Sequence, residues 1–210
     1  MTDSQIILAI ESAICGGSIS LLRDGSEIAN WTGTSNVSKA EELLVNINAM
    51  LNATNITKQD LRMIAVSAGP GSFTGIRIGI ATALGMKTGL GIVMSSQSAL
   101  KAMAFLQPDN ARIVTTVPMG RNAVCLQTFH KDNAELNALD EPQTMQEDAF
   151  LSLLQSDVDT AFVLHSAIYE KIGHKPNIIN LGANIAFAIG SICREQPGVV
   201  AEPLFISKSF

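Results

Sequence analysis

Charged and aromatic residues are both scarce in this chain of 210 residues, at 16% and 5%. Because 47% of the residues are hydrophobic, we expect a mostly aliphatic core, large enough for one large domain or two small lobes. The net charge is −5, and the Lys and Arg residues form no basic run. A protein that binds nucleic acid by itself needs clustered Lys and Arg residues. The sequence therefore disfavours a nucleic-acid-binding protein unless a partner supplies the basic surface.

Cysteine pairs, metal-binding histidine spacings and long apolar runs are also missing from the sequence. The three cysteines form no C-x-x-C pair, which indicates free thiols in a reducing compartment. The three histidines show neither H-x-x-x-H nor H-E-x-x-H spacing, so we expect no metal site. No basic stretch precedes the apolar segment Ile6–Ile10, and no apolar run approaches the roughly 18 residues that span a bilayer. We therefore expect a cytoplasmic protein without membrane association.

Short apolar runs and helical repeats alternate along the chain. Three strands with tight turns predict an antiparallel meander at the start. An amphipathic helix follows, and Ser38 and Glu41 are placed to form a capping box at its start. After it come a strand, a helix at Thr74–Thr88 and a further strand. A second set of strands and helices comes after them. This order predicts two related α/β lobes, which we place at residues 1–106 and 107–210.

The most informative segment, Ala65–Gly89, combines an apolar strand, the turn Gly69-Pro70-Gly71 and a helix. A glycine turn at a helix N-terminus can in principle bind an anion. However, the Walker lysine is missing, Arg77 is the nearby cation, and no Gly-x-Ser-x-Gly elbow presents Ser72 as a nucleophile. The sequence therefore favours a structural turn, with Ser72 or Thr74 capping the helix, over a catalytic phosphate loop.

The helix after this turn is apolar nearly all round, which predicts burial on most of its sides. Gly79 and Gly85 lie inside it, and each costs about 1 kcal/mol relative to Ala. Such glycines are useful where another backbone approaches closely. We expect one face of the helix to cover the sheet and the other to be covered by a partner helix. The alternative is a central helix of a monomer.

The segment Gly69–Gly79, Gly-Pro-Gly-Ser-Phe-Thr-Gly-Ile-Arg-Ile-Gly, closely resembles the signature of the TsaB (YeaZ) family. The stretches Ile7–Ser12, Glu41-x-Leu43-Leu44 and Ser95–Leu100 are similar to other motifs of that family. The closing Pro203-Leu204-Phe205 resembles the family's Pro-x-Tyr-Leu-Arg imperfectly. The resemblance extends along most of the chain and is strongest in its first half.

This resemblance implies a two-lobed, ribonuclease H-like fold of the actin, sugar-kinase and Hsp70 type, with mixed sheets flanked by helices. It implies a non-catalytic scaffold without a cofactor, which supports formation of N6-threonylcarbamoyladenosine at position 37 of tRNA. The implied partners are a TsaD-type catalytic subunit and a TsaE-type ATPase, while TsaC supplies threonylcarbamoyl-adenylate. A self-dimer through the same helices is also implied, and tRNA would be contacted only indirectly.

The resemblance also assigns the partner interface to the helix after the glutamate motif and the helix after the glycine turn. The residues expected in this interface are Glu41, Leu43, Leu44, Ile47, Phe73, Ile76, Arg77, Ile80 and Leu84.

The chain departs from the family pattern in three places. Glu11 stands where Asp is usual, Lys39-Ala40 replaces His-Ser, and Pro118-Met119-Gly120 lacks a carboxylate. These losses weaken a nucleotide role, so Glu11 and Ser12 are expected to make a weak nucleotide contact at most. The alternative function is a small ATP-dependent kinase or ATPase of the same fold, in which Glu11 would hold a Mg²⁺–nucleotide. A peptidase is a third interpretation, for which the sequence offers neither a metal site nor a nucleophile arrangement.

Overall fold

Two mixed β-sheets, each covered by helices, make up the described part of the chain. The structure is a computed structural model, and it describes residues 4–33, 42–109, 111–120, 122–133, 135–156 and 160–205. No helix in these ranges is long and apolar enough to cross a membrane.

The first sheet has the strand order β3-β2-β1-β4-β5. Its strands are β1 (Ile6–Glu11), β2 (Ser18–Arg23), β3 (Ser26–Thr32), β4 (Leu61–Ser67) and β5 (Val93–Gln97). The first three strands form the antiparallel meander that the tight turns predicted, whereas β4 is parallel to both β1 and β5. Parallel neighbours need a crossover, which α2 (Phe73–Leu90) supplies between β4 and β5. Helix α1 (Leu43–Ala53) lies between β3 and β4 in the chain.

The second sheet has the order β11-β10-β6-β7-β8, and β9 also pairs with β7. Its strands are β6 (Ala111–Gly120), β7 (Ala123–Asp132), β8 (Glu135–Ala138), β9 (Gln143–Gln146), β10 (Ala161–His165) and β11 (Ile178–Gly182). The remaining helices are α3 (Ala99–Phe105), α4 (Glu147–Ser156), α5 (Ser166–Ile172) and α6 (Ile185–Glu195).

Alternating side chains of the first sheet separate two parts of the core. Ile7 and Ala9 of β1 face α3 and α6, whereas Leu8 and Ile10 face α1 and α2. Helices α3 and α6 contact each other, and α3 also packs on the second sheet. The two sheets therefore enclose a shared layer of two helices. Helix α6 comes from the second half of the chain but packs on the first sheet. The domain boundary near residue 106 stays a prediction.

Helix α6 should be a sensitive point for stability, because Ile189 is fully buried in this shared layer. We expect Ile189→Ala to lower the free energy of unfolding by about 2–5 kcal/mol through lost burial and a residual cavity. The matched control is Leu139→Ala, which removes an exposed leucine side chain and should cost about 0.5 kcal/mol or less. Urea denaturation of both variants measures the difference, and equal midpoints would contradict the layered core.

Candidate functional site

The glycine turn after β4 leads directly into α2, and its geometry is that of a structural turn. Gly69 has φ +98°, in the region that favours glycine. Ser72 is the N-cap of α2, and its Oγ accepts a hydrogen bond from the Gly75 amide at 3.4 Å. The sequence left Ser72 and Thr74 open as capping residues, and the structure assigns the cap to Ser72.

The turn between β1 and β2 packs directly on the start of α2. The Ser72 amide donates to the Ala13 carbonyl at 2.8 Å, and the Ser12 hydroxyl donates to the Gly75 carbonyl at 2.8 Å. A Cβ on Gly75 would lie 2.3 Å from the Ser12 carbonyl oxygen, so a larger residue does not fit without backbone movement. The two turns that could flank a bound phosphate are therefore in contact with each other.

The glycines inside α2 have different surroundings. A Cβ on Gly79 would lie 2.3 Å from the Ser12 Oγ, whereas a Cβ on Gly85 would meet no atom within 4 Å. The close approach at Gly79 is thus a contact within the chain. The sequence predicted a closely approaching backbone at this glycine, and the neighbour is instead the Ser12 side chain of the β1–β2 turn. Gly85 faces open space.

Glu11, at the end of β1, is buried and turned toward its own loop. Its Oε1 accepts hydrogen bonds from the amides of Ala13 at 2.6 Å and Ile14 at 3.1 Å. Burial raises the pKa of the Glu11 carboxyl from 4.5 to about 8, although the two backbone hydrogen bonds act in the opposite direction. The carboxyl occupies the amides that an anion would need, and the Ser12 hydroxyl is bonded to α2. The expected nucleotide contact of Glu11 and Ser12 would have to break these bonds.

Three side chains of chemically reactive types, His165, Cys125 and Cys193, are buried away from solvent. The imidazole of His165 caps α5 by accepting the Ala167 amide at 3.2 Å, and burial lowers the pKa of this histidine to about 4. Burial also raises the pKa of the Cys125 and Cys193 thiols to about 12, so both remain protonated and poorly nucleophilic. Within the described ranges, no three His, Cys, Asp or Glu side chains form a group that could hold a metal ion.

The structure separates the residues expected in the partner interface into two sets. Leu43 and Ile47 are buried in the core between the helices and the first sheet, and Ile80 is partly buried against the same cluster. Ile76 is buried next to Gly69 of the glycine turn. These four residues pack within the protein and are not a free surface. Glu41 lies outside the described residues, as do Lys39 and Ala40. The exposed members are Leu44, Phe73, Arg77 and Leu84.

We use the name docking face for the exposed residues on the outer sides of these two helices, which are Leu44 and Val45 of α1 and Phe73, Arg77, Ala81, Leu84 and Gly85 of α2. Leu44 is 54% exposed, Phe73 55% and Leu84 47%. Both helices cover the same side of the first sheet, so their outer surfaces point the same way. The Arg77 guanidinium lies 5.1 Å from the centre of the Phe73 ring, within cation–π range.

Sequence reasoning missed two exposed apolar residues near this surface. Val45 is 67% exposed, but it is not part of the helical repeat of apolar residues that includes Leu44. Phe205 lies far away in sequence, yet its ring centre is 4.7 Å from that of Phe73. The only available signal for Phe205 was its place in the Pro203-Leu204-Phe205 motif.

Comparison with known proteins gives consistent results. A family model described as tRNA N6-adenosine threonylcarbamoyltransferase matches residues 36–194. The tRNA threonylcarbamoyladenosine biosynthesis protein TsaB of Bacillus subtilis (strain 168) is 34% identical over 98 residues, covering 47% of this chain and 43% of that protein. The protein of the same name from Escherichia coli (strain K12) is 34% identical over 98 residues, covering 47% and 42%. The match thus spans less than half the length of these relatives.

The structure of YeaZ from Pseudomonas aeruginosa is similar to this chain over nearly its whole length. The TM-score is 0.68, and the similarity covers 96% of this chain and 100% of that one at 16% sequence identity. At this identity the likeness concerns the fold. The two-lobed α/β fold expected from the sequence, with mixed sheets flanked by helices, is confirmed.

The three helical glycines make a graded test of the contact between the β1–β2 turn and α2. We expect Gly75→Ala to lower the free energy of unfolding by about 1–3 kcal/mol, because the new methyl group would overlap backbone atoms. Gly79→Ala should cost less, since the Ser12 hydroxyl can rotate away by giving up its hydrogen bond to Gly75. Gly85→Ala, the control, should stabilise by up to about 1 kcal/mol through helix propensity. Denaturant unfolding gives all three values, and a different order would contradict the packing.

The buried Glu11 carboxyl predicts a dependence of stability on pH. Its pKa is raised to about 8, so the folded chain binds more protons than the unfolded chain between pH 4.5 and 8. The free energy of unfolding should therefore fall as pH rises through this window. His165, whose pKa falls from 6.5 to about 4, acts in the opposite direction below pH 6.5, so the cleanest range is pH 6.5 to 8.

Glu11→Gln is the matched variant, because an amide oxygen can accept the same two backbone hydrogen bonds without titrating. Urea titrations at pH 6.5 and pH 8 should show a loss of stability for the wild type that is much smaller for this variant. Parallel pH dependences of the two proteins would contradict a buried, titrating Glu11.

Proposed function

We propose that this chain, which belongs to the tRNA N6-adenosine threonylcarbamoyltransferase family, is of its TsaB (YeaZ) type and serves as a non-catalytic scaffold for a TsaD-type catalytic subunit. In this proposal the pair modifies position 37 of tRNA to N6-threonylcarbamoyladenosine. The TsaD-type subunit performs the transfer, and a TsaE-type ATPase joins the complex. A second copy of the chain uses the same surface when the TsaD-type subunit is absent.

The docking face is the observation that carries this proposal. Four large apolar side chains, Phe73, Leu84, Leu44 and Val45, stay about half exposed or more. Large exposed apolar patches mark sites of protein–protein contact. Ala81 and Gly85 lie between or beside them and are small, which lets a second helix approach α2 closely.

Charge supports a protein partner in preference to direct tRNA binding. Helix α2 contains Arg77 and Lys87 but no acidic residue, and the whole chain has a net charge of −5. Two cations on one helix can pair with carboxylates of a partner helix, but they fall far short of the clustered charge that grips nucleic acid. In this proposal the partner therefore supplies the tRNA-binding surface.

The environment of Glu11 and Ser12 supports the non-catalytic role. The Glu11 carboxyl is held by two amides of its own turn, and the Ser12 hydroxyl is bonded to the Gly75 carbonyl. A kinase or ATPase of the same fold would need these groups, or the amides that they occupy, to face a nucleotide. The observed contacts weigh against that alternative.

Replacing Leu84 with Glu tests the proposed interface, because a carboxylate at this position would have to be desolvated when the partner helix covers it. We expect Leu84→Glu to weaken binding to the cognate TsaD-type subunit by at least about 100-fold, as for an interface hot spot. The isolated variant should stay folded, since Leu84 is exposed. Calorimetry and analytical ultracentrifugation measure binding, and reconstituted tRNA modification should fall in parallel.

Leu139→Glu is the matched control, because Leu139 is a similarly exposed leucine near the second sheet. It should bind the TsaD-type subunit like the wild type. Unchanged binding by Leu84→Glu, or equal losses in both variants, would refute the assignment of the interface. Transfer of threonylcarbamoyl to tRNA by this chain alone would refute the non-catalytic role.

A further inference from the structure

We propose that the C-terminal segment Val199–Phe205 is a working part of the docking face, holding the glycine turn in place and adding Phe205 to the surface that a helix of the TsaD-type subunit covers. This inference rests on the proposed function and extends its interface to a third part of the chain. Four observations, which begin at the edge of the first sheet, lead to it.

The C-terminal segment extends the first sheet beyond β5. The Ser96 amide donates to the Val199 carbonyl at 2.8 Å, and the Ala201 amide donates to the Ser96 carbonyl at 3.2 Å. Val200 forms a parallel bridge with Ser96, whose hydroxyl also donates to the Ala201 carbonyl at 3.2 Å. These bonds fix the direction in which the segment leaves the sheet.

From this edge the segment crosses to the turn that begins α2. The Leu204 amide donates to the Ala68 carbonyl at 2.7 Å, immediately before the glycine turn. A Cβ on Gly69 would lie only 3.1 Å from the Leu204 carbonyl oxygen, so the two backbones are in close contact. The segment thus covers the residues that set the starting point of α2.

The segment then places Phe205 on the docking face. The Phe205 and Phe73 rings are 4.7 Å apart at an angle of 52°, and the Arg77 guanidinium lies over Phe73. Phe205 is 49% exposed, so the contact with Phe73 leaves about half of its surface for a further partner. Exposed aromatic rings beside an arginine are typical of residues that dominate binding energy in interfaces.

The opposite side of the segment borders a cavity. A cavity of about 360 Å³ separates Ala201, Glu202 and Leu204 from the second sheet, where Gln127 and Phe129 form part of its wall. The contacts described for the segment are its bonds to Ser96 and Ala68 and the ring contact with Phe73. Loss of that ring contact should therefore increase the mobility of the glycine turn.

An amphipathic helix is the occupant that fits the resulting surface. The distance along α2 from Phe73 to Leu84 is about 17 Å, or three helical turns. Phe205 adds to this apolar stripe at Phe73, the first residue of α2. Arg77 lies within the stripe, and α2 has no acidic residue. A helix with apolar residues at i, i+3 and i+4 spacing and a carboxylate facing Arg77 complements both features. The continuity of this stripe with the proposed interface assigns the helix to the TsaD-type subunit.

Phe205→Ala in the full-length chain is the central test. We expect it to weaken binding to the TsaD-type subunit by at least about tenfold, because it removes an aromatic hot spot and loosens the glycine turn. Amide exchange at Ala68–Arg77 should become faster in the isolated variant. Phe205→Tyr keeps the ring and should restore both affinity and protection. Leu139→Ala, on an exposed leucine outside the docking face and the C-terminal segment, should leave affinity within about twofold of the wild type.

The outcomes separate this inference from the proposed function. If the wild-type chain does not bind the TsaD-type subunit, both proposals fall. If the wild type binds and Leu84→Glu weakens binding but Phe205→Ala does not, only the role of the C-terminal segment is overturned. An effect of Phe205→Ala that is confined to self-association would also overturn it. An affinity loss that Phe205→Tyr fails to reverse would contradict a role for the aromatic ring.

Discussion

The contact between the β1–β2 turn and the first turns of α2 is the constraint on which the rest of the site depends. Hydrogen bonds from Ser12 and Ser72, together with missing side chains at Gly75 and Gly79, bring two backbones into direct contact. Because this contact fixes one side of α2 against the sheet, it also fixes which side faces outward. The exposed positions of Phe73 and Leu84 are therefore a consequence of packing on the opposite side of the helix.

The turn after β1 has two backbone amides that are already occupied by a side chain of the same turn. Backbone amides in such a turn can hold an anion, but here the Glu11 carboxyl already accepts two of them inside the protein. Burial penalises the charged form of this carboxyl, so the stable arrangement at neutral pH is largely the protonated one. A side chain of the turn thus occupies these amides, which supports the proposal that the outer surface carries the function.

Local signals in the sequence predicted the meander, the glycine turn, the start of α2 and the mixed α/β class, because caps, turns and short apolar runs act over a few residues. These local signals could not separate the buried from the exposed residues among those expected in the interface. Since α2 is apolar nearly all round, periodicity gave no reason to separate buried Ile76 from exposed Leu84. Contacts across long sequence separations were also out of reach, such as that of Gly79 with Ser12 or that of Phe205 with Phe73.

These long-range contacts matter because of the energetics of a docking face. Covering the exposed halves of Leu44, Val45, Phe73, Leu84 and Phe205 would contribute roughly 1 kcal/mol each, or about 5 kcal/mol together. Association costs at least about 4 kcal/mol in lost freedom of the two partners, and more if side chains or loops must be ordered. A surface of this size therefore supports a complex only if it is ordered before the partner arrives. The bonds from the C-terminal segment to Ser96 and Ala68, and the ring contact at Phe73, provide that order.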